Sequence, residues 1–298
     1  MKITALQVAA YILNCIRIRT KPCKYFQLNS PCFNAKHGIF SKKEMDRLIP
    51  QKWRLRHNYL HQDHLQRQHD DGACQPERYP VFVKPEWGQN ARGVFRADDA
   101  AALAKIRQTA CATKNRGKTR GNAQVRWLIQ PGAAEQREFE IFSILHHADK
   151  NRYAELTITE VINAREVNPV NSIYNPDTAY REITDNFSEP QKQALWKLLG
   201  QIGRFGISRA SLRADSIEQM LAGKFHVIEV NLFAPMPINM LDPKYSNRER
   251  WQMIRRYMSA LARITKYRDQ SLPEKPVFTK IMLYNRQNPL LNWMRERL

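Results

Sequence analysis

The sequence predicts an α+β fold, because short apolar runs typical of strands alternate with segments that carry the apolar period of a helix. The runs at 81–83 and 127–129 are apolar throughout and are soon followed by proline, as buried strands often are. In contrast, the segment 247–266 repeats apolar residues at intervals of three and four, which indicates an amphipathic helix. With 298 residues, the chain is long enough for two domains with a buried core.

This alternation predicts a definite order of elements. Strands are expected at 81–83, 127–129, 139–145, 155–164, 207–214 and 225–231. Helices are expected at 98–109, from 189 to about 204, at 217–223 and at 247–266. Residues 1 to about 75 are basic and irregular, and their clearest element is a helix over 3–16.

The apolar residues of that N-terminal helix fall at helical spacing, which predicts a face packed against the core. They are Leu6, Ala9, Ala10, Leu13 and Ile16. Because Arg17, Arg19 and Lys21 follow at once, a basic helix lying on a membrane surface is the alternative. The stretch is too short to span a bilayer, so no transmembrane segment is expected.

The chain is strongly basic, since 48 Lys and Arg outnumber 28 Asp and Glu and give a net charge of +20. Such a balance favours anionic partners, which include nucleotide phosphates, acidic metabolites, an anionic membrane and nucleic acid. The five cysteines are odd in number and lack CxxC spacing. We therefore expect reduced thiols in a cytoplasmic protein.

A lysine and a glycine-bracketed turn follow the first predicted strand, in PVFVKPEWGQNARGV at 80–94. Lys84 ends the strand, where its ammonium can meet phosphate oxygens. The turn between Gly88 and Gly93 can supply backbone N–H groups that close over them. A surface lysine beside an ordinary hairpin turn is the alternative.

The strand at 225–231 ends in Glu229-Val230-Asn231. The two-residue period of a strand places Glu229 and Asn231 on one face. A carboxylate oxygen next to an amide oxygen suits a hard cation such as Mg²⁺, which also keeps water and phosphate oxygens as ligands. A solvent-facing strand end is the alternative for this triplet.

Taken in order, these features resemble the ATP-grasp superfamily, in particular its D-alanine–D-alanine ligase branch. The shared order is a strand with Lys84 and a glycine loop, a helix, a strand ending in LIQP, a strand opening at Glu138, and the terminal ExN. The resemblance covers about 79–241 and includes NSIYNPDTAY and GISRASLRADS. It implies an α+β fold in which two lobes clamp the nucleotide behind a shortened N-terminal segment.

On this basis we expect three parts. They are a basic, mostly helical or irregular segment at 1–75, a small lobe with lysine strand, glycine loop and hinge at 76–145, and a large lobe with the metal site and C-terminal helices at 146–298. The resemblance also implies ATP and Mg²⁺ as cofactors. The residues that it assigns to ATP are Lys84, Gly88, Gln89, Asn90, Gly93, Gln130, Ala133 and Glu138.

Each assigned residue has an implied role. Lys84 would contact the α- and β-phosphates, the loop 88–93 would cover them, and the hinge 130–133 would read adenine. Glu138 would hold the ribose hydroxyls. Glu229 and Asn231 would ligate Mg²⁺, while Arg209 would stabilise the transferred phosphoryl group.

The sequence departs from the family pattern at two positions. Ser211 stands where the ligases usually carry an aspartate, two residues after the arginine, as a further metal ligand. Ala179 stands where a lysine typically reaches the γ-phosphate, and Arg181 is the expected substitute. With the preceding domain shortened as well, the substrates cannot be carried over from the family.

The leading hypothesis is an ATP-dependent ligase that joins a carboxylate to an amine, or to a thiol, through an acyl phosphate. The +20 charge favours an acidic substrate. A non-catalytic nucleotide-binding protein, favoured by Ser211 and Ala179, is one alternative. An RNA-binding protein that stacks bases on Phe40, Trp53 and Tyr59 is the other, although no RNA-binding signature accompanies them and nucleic acid is not the expected partner.

Three further motifs receive modest interpretations. His57, His61 and His64 have the i, i+4, i+7 spacing of a helix, for which a solvated face is favoured over a zinc site. The GKT within 113–121 lacks the glycine of a P-loop at position 112. The apolar segment after Pro273 is a candidate dimer contact.

Overall fold

The predicted apolar runs form two antiparallel sheets in a computed structural model of the chain. The structure describes residues 3–33, 40–60, 76–87, 93–116, 126–163, 170–171, 175–267, 276–277 and 279. Helices and antiparallel strands together confirm the α+β class. The candidate dimer segment, apart from the three described residues 276, 277 and 279, and the histidines at 61 and 64 lie outside this part of the chain.

The order of elements follows the prediction with a few additions. The helices are α1 (Ile3–Arg17), α2 (Lys42–Met45), α3 (Ala100–Arg116), α4 (Glu189–Leu199), α5 (Ile217–Leu221) and α6 (Asn247–Lys266). The strands are β1 (Asn58–Tyr59), β2 (Val81–Pro85), β3 (Phe95–Ala97), β4 (Trp127–Pro131), β5 (Arg137–Leu145), β6 (Tyr153–Asn163), β7 (Thr178–Glu182), β8 (Ile207–Ala214) and β9 (His226–Asn231). Strands β1, β3 and β7 were not predicted, because they are short and carry few apolar residues.

The strands divide into a small sheet with the order β1-β4-β2-β3 and a large sheet with the order β7-β6-β5-β8-β9. Strand β5 pairs with β6 and β8 in the large sheet. Its residues fall within 76–145, the range expected for the small lobe. The chain therefore passes between the sheets at 132–136. The apolar pattern of β5 identifies a strand but does not specify its partners.

Strand β5 organises the core because its two faces are covered by different elements. Phe139 and Ile141 point to a core that contains Leu195 of α4. Phe142 and Ile144 point to the opposite face, where they pack with residues of α1 and α6. Residues with even numbers on β5 therefore share the side of the sheet that α1 and α6 cover.

Helix α1 forms as predicted, but its buried face differs from the expected one. The buried residues are Gln7, Ala10, Tyr11 and Cys15. Leu13 and Ile16, which were expected to pack, are each 64% exposed. The rotation of the helix follows its polar anchors, because the Tyr11 hydroxyl contacts the Pro22 carbonyl and Thr265 Oγ1 at 3.1 Å each.

The rest of the N-terminal segment is built into the large lobe. The Trp53 side chain is 1% exposed, stacks on Phe225 at 4.5 Å between ring centroids, and donates from Nε1 to the Gly223 carbonyl at 2.8 Å. The RNA-binding alternative requires Trp53 to stack on a base, but the buried ring is not accessible to one. Among the described helices, none combines the length and apolar content needed to cross a membrane. Cys15, Cys23 and Cys32 form no disulfide within the described part of the chain.

Asn29 attaches the N-terminal segment to the large sheet. Its buried amide donates to the carbonyls of Ile207 (2.7 Å) and Leu232 (2.9 Å) and accepts from the Gly206 N–H at 3.0 Å. A buried polar group left without its partner costs about 1–3 kcal/mol. These three bonds therefore fix the segment that carries α1 against β8.

We expect Asn29→Ala to lower the free energy of unfolding by about 3 kcal/mol, because three buried backbone groups lose their partner. Asn14→Ala is the matched control, since Asn14 donates only to the Ala10 carbonyl within its own helix. The control should change stability by less than about 1 kcal/mol. Urea denaturation measures both values, and equal losses would show that Asn29 does not hold the segment.

Candidate active site

A cavity of about 920 Å³ lies between the two sheets. From the small sheet it is lined by Phe82, Lys84, Gln130 and Pro131, and from the large sheet by Glu138, Glu140, Arg209, Ser211, Arg213, Glu229 and Asn231. Most of the residues singled out in the sequence therefore meet in one place. The predicted hinge forms the short link between the sheets, and Ala133 also lines the cavity.

Lys84 is buried at the end of β2, with an exposure of 5%. Its Nζ donates to Gln130 Oε1 at 2.7 Å, and Gln130 Nε2 in turn donates to the Leu55 carbonyl at 2.9 Å. Burial and the nearby charge of Lys42 together lower the pKa of Lys84 to about 8, although Glu229 and Asp46 act in the opposite direction. The ammonium is thus held in place by an uncharged partner and remains a donor for an anion.

Glu140, Ser211 and Glu229 form a row across three strands. Ser211 on β8 is in register with Glu140 on β5 and with Glu229 on β9. Residues in register point to the same face, and two strand spacings put the outer Cα atoms about 10 Å apart. The Ser211 hydroxyl donates to Glu140 Oε1 at 2.7 Å, and burial raises the pKa of the Glu140 carboxyl.

Arg209 lies beside this row and connects its members. Its Nε is 3.1 Å from Glu140 Oε2, and its Nη1 donates to the Met236 carbonyl at 3.1 Å. With its amide nitrogen turned toward Glu229, Asn231 donates to Glu229 Oε1 (3.2 Å) and accepts from Arg209 Nη2 (3.0 Å). The predicted arginine and both predicted metal ligands thus belong to one hydrogen-bonded cluster.

Glu138 is fixed at the other side of the cavity. Arg213 Nη2 lies 2.9 Å from Glu138 Oε2, and the Asn171 amide donates to the same oxygen at 3.0 Å. The side chain of Arg213 is 5% exposed, so the ion pair with Glu138 compensates its buried positive charge. The Glu138 carboxylate lines the cavity, where it can accept a hydrogen bond from a hydroxyl group of a ligand.

Arg181 does not reach the cavity, contrary to the role expected for it. Its guanidinium pairs with Glu160, its neighbour in register on β6. Since β7 alternates its faces, Ala179 and Arg181 point away from the cavity and Tyr180 lines it. Burial raises the pKa of Tyr180, so its hydroxyl stays protonated and can donate.

The glycine loop is described only at its end. Gly88, Gln89 and Asn90 lie outside the described residues, so their predicted role stays a prediction. Gly93 has a φ of 72°, the left-handed conformation that glycine adopts most easily. In the link between the sheets, a side chain at Gly132 would come within 2.9 Å of the Pro80 carbonyl, so glycine is required there as well.

His57 does not lie on a solvated helix face, which was the favoured interpretation of the histidine cluster. It lies just before β1 rather than on a helix, and it is 3% exposed. Its Nδ1 lies 2.7 Å from Asp46 Oδ1, while its backbone N–H donates to Asp46 Oδ2 at 2.8 Å. Because a carboxylate only accepts, Nδ1 carries the proton, and Nε2 has no partner among the described residues.

The neutral form of His57 follows from its surroundings. Burial and the nearby charge of Lys84 lower its pKa to about 4, although Asp46 acts in the opposite direction. If His57 were protonated, its ring would place a third positive charge near those of Lys84 and Lys42. His57 therefore serves to orient Asp46 without adding charge.

Sequence reasoning missed several residues that line the cavity or support it. A signal existed for Glu140, because it lies two residues after Glu138 and must share its face. The same argument applies to Arg213, two residues after Ser211. No sequence pattern pointed to the buried Lys42, whose Nζ donates to the Pro85 carbonyl at 3.3 Å and whose pKa burial lowers.

The donor set fits a magnesium ion that is shared with a ligand. Within the described ranges, no group of three or more His, Cys, Asp or Glu side chains is suited to hold a metal by itself. The row offers the carboxylates of Glu140 and Glu229 and the amide of Asn231. Magnesium in nucleotide sites is held in this way, by one or two carboxylates together with phosphate and water oxygens.

No protein-family model matches the chain, and no curated protein matches it in sequence. Solved structures similar to it include an L-amino acid ligase from Bacillus licheniformis, which is 17% identical with a TM-score of 0.45 over 80% of this chain and 52% of that one. They also include a D-alanine–D-alanine ligase from Bacillus anthracis complexed with ATP (17% identity, TM-score 0.37, coverage 63% and 56%). A second structure of that ligase has 16% identity, a TM-score of 0.39 and coverage of 64% and 56%.

The chain spans about half the length of these solved structures. Two of them are structures of a D-alanine–D-alanine ligase, the branch that the sequence motifs resemble.

We expect the free energy of unfolding to decrease as the pH is lowered, because of His57. Its pKa is about 4 in the folded protein and near 6.5 when unfolded, so below pH 6.5 the unfolded chain binds a proton that the folded one does not. At about 1.4 kcal/mol per pKa unit, the native protein should lose about 2–3 kcal/mol between pH 7.5 and 4.5 on this account.

His57→Asn keeps an N–H group near Asp46 and removes the titration, so it should show a smaller loss over the same range. Urea unfolding at both pH values measures the difference. Identical pH profiles for the native protein and the variant would show that His57 does not titrate as inferred.

Proposed function

We propose that this protein is an ATP- and Mg²⁺-dependent ligase that joins a carboxylate to an amine through an acyl phosphate. The proposal rests on the observation that a buried lysine lines the same cavity as the row of Glu140, Ser211 and Glu229. A fixed ammonium suits phosphate oxygens, and paired carboxylates suit the cation that accompanies them. Phosphoryl transfer requires mainly this positioning and charge neutralisation.

The proposed reaction has two steps. A carboxylate oxygen of the substrate attacks the γ-phosphorus of ATP, the bond to the β,γ-bridging oxygen breaks, and ADP leaves. The amine nitrogen then attacks the acyl carbon, the C–O bond to phosphate breaks, and inorganic phosphate leaves while the amine loses a proton. Bound Mg²⁺ would neutralise the charge of the phosphates during the first step.

The residues of the cavity have defined tasks in this proposal. Lys84 binds phosphate oxygens, and Glu138 accepts from the ribose hydroxyls. Glu229 and Asn231 would hold the metal, and Arg209 would stabilise negative charge on the transferred group. Arg181 has no task, because its guanidinium is paired with Glu160 outside the cavity.

Glu140 supports a catalytic protein over a non-catalytic relative. The carboxylate missing at position 211 is offered from the next strand, since Ser211 donates directly to Glu140. We propose that Glu140 takes the place of that aspartate beside the metal. The row then has a carboxylate on each side of Ser211.

The remaining features are compatible with this proposal. The five cysteines are odd in number and lack CxxC spacing, which favours the cytoplasm as the compartment of the protein. Because Trp53 is buried against Phe225, an RNA-binding surface on this segment is not proposed. A thiol could serve as the acceptor in place of the amine, since the first step would be the same.

We expect micromolar binding of ATP that requires Mg²⁺ and weakens at least tenfold in Lys84→Ala, because the variant loses a buried charged donor. Lys52→Ala is the control, since Lys52 is exposed over the Trp53 ring outside the cavity. Calorimetry at pH 7 measures all three proteins. For native protein the affinity should fall as the pH rises above 8, because Lys84 then loses its proton before ATP binds.

The opposite result would be equal affinities for native protein and Lys84→Ala. In that case the cavity is not the nucleotide site.

We expect Glu140→Gln to weaken Mn²⁺ binding in the presence of ADP by about tenfold or more, because a carboxylate beside the metal is lost. Adding Ser211→Asp to this variant should restore much of the affinity, since it returns a carboxylate to the middle of the row. Glu155→Gln is the control, because Glu155 pairs with Arg256 (3.0 Å) and does not line the cavity.

Electron paramagnetic resonance of free Mn²⁺ gives the affinities without relying on turnover. An unchanged affinity in Glu140→Gln, or the same loss in Glu155→Gln, would contradict the assignment.

A further inference from the structure

One end of the cavity is apolar, although the other end carries charges. Its lining comes from α1, from the turn at 22–26, from the loop at 233–238 and from the middle of α6. None of the described lining residues in these four segments is charged. We call this end the apolar arm.

The apolar arm and the charged site lie on the same side of the large sheet. On β5, Glu138 and Glu140 share a face with Phe142 and Ile144, which pack among residues of α1 and α6. Arg209 stands where the two ends meet, because it contacts both Glu140 and the Met236 carbonyl of the loop 233–238. A molecule that reaches Arg209 from the arm is therefore next to the row.

The walls of the arm are held by ring contacts. Tyr11 meets Tyr25 at 5.8 Å between ring centroids, and Phe26 stacks on Phe233 at 6.1 Å. Next to Phe233, Ala234 has a φ of 44°, a left-handed conformation that is strained for a residue with a Cβ. Such strain persists where the surroundings determine the backbone, as they do at binding sites.

The cavity is large for a small-ligand pocket. A pocket for one small ligand measures roughly 300–1,000 Å³, and this cavity of about 920 Å³ is at the upper end. The arm opens to solvent at α1, where Val8 is 54% and Ile12 is 40% exposed. A substrate bound at this opening would cover these exposed apolar side chains.

We propose that the apolar arm binds the aliphatic or aromatic chain of the carboxylate substrate, with its carboxylate group directed to Arg209. This inference rests on the proposed ligase function. Each methylene that leaves water favours binding by about fourfold. A second ionised group enclosed within the arm would lose its hydration and find no charged partner among the described residues there.

The substrate therefore differs from the acidic one expected from the net charge of +20. That charge is a property of the whole chain, whereas the lining of the arm decides what fits there.

Hexanoate and adipate are matched probes, because they differ only in a terminal methyl or carboxylate. Saturation-transfer NMR on the full chain, with and without Mg²⁺ and ADP, should show hexanoate binding at least tenfold tighter than adipate. Val8→Glu should weaken hexanoate binding about tenfold. Leu13→Glu is the control, since Leu13 is on the same helix and 64% exposed but does not line the cavity.

The two proposals fail in different ways. Adipate binding as tightly as hexanoate, no binding of either probe, or equal effects of Val8→Glu and Leu13→Glu would each overturn the apolar arm. Loss of Mg²⁺-dependent ATP binding in the native protein, with hexanoate binding intact, would overturn the ligase function alone. Calorimetry of ATP binding to Val8→Glu should match the native value, because the substitution lies outside the nucleotide end.

Discussion

The buried ammonium of Lys84 is the constraint on which the arrangement of the two sheets depends. A charge removed from water requires close partners, and its hydrogen-bond acceptor at 2.7 Å is the amide of Gln130. That amide also donates to the carbonyl of Leu55, in the N-terminal segment, and at 3.4 Å to that of Ile228 on β9. One polar side chain thus connects the small sheet, the large sheet and the N-terminal segment around the lysine.

The acidic row is built from three neighbouring strands rather than from one sequence motif. A motif describes residues along one strand, but a ligand contacts neighbours across strands. Because Glu140 and Glu229 flank Ser211 in register, β5 and β9 each place a carboxylate beside the serine of β8. The hydroxyl of Ser211 donates to the Glu140 carboxylate, so the serine has a role in positioning it.

The N-terminal segment contributes residues to the wall of the cavity. Asn29 and Trp53 attach it to the large lobe, while Asp46 and His57 lie behind Lys84. Helix α1 then covers the same side of the large sheet that carries the acidic row. The segment thus contributes both to the support of the lysine and to the apolar wall of the cavity.

Local patterns in the sequence determined the elements and much of the charged site. The apolar pattern predicted β8 and α6 with their observed bounds, and the order of motifs led to Lys84, Glu138, Arg209 and Glu229, which all line one cavity. These features depend on neighbours along the chain.

Only the tertiary structure decided which strands pair, that β5 joins the large sheet, that Arg181 faces away, and that Glu140, Tyr180 and Lys42 face inward. The burial of His57 and the rotation of α1 were decided in the same way. The physical reason is that pairing, rotation and burial depend on contacts between residues far apart in the sequence.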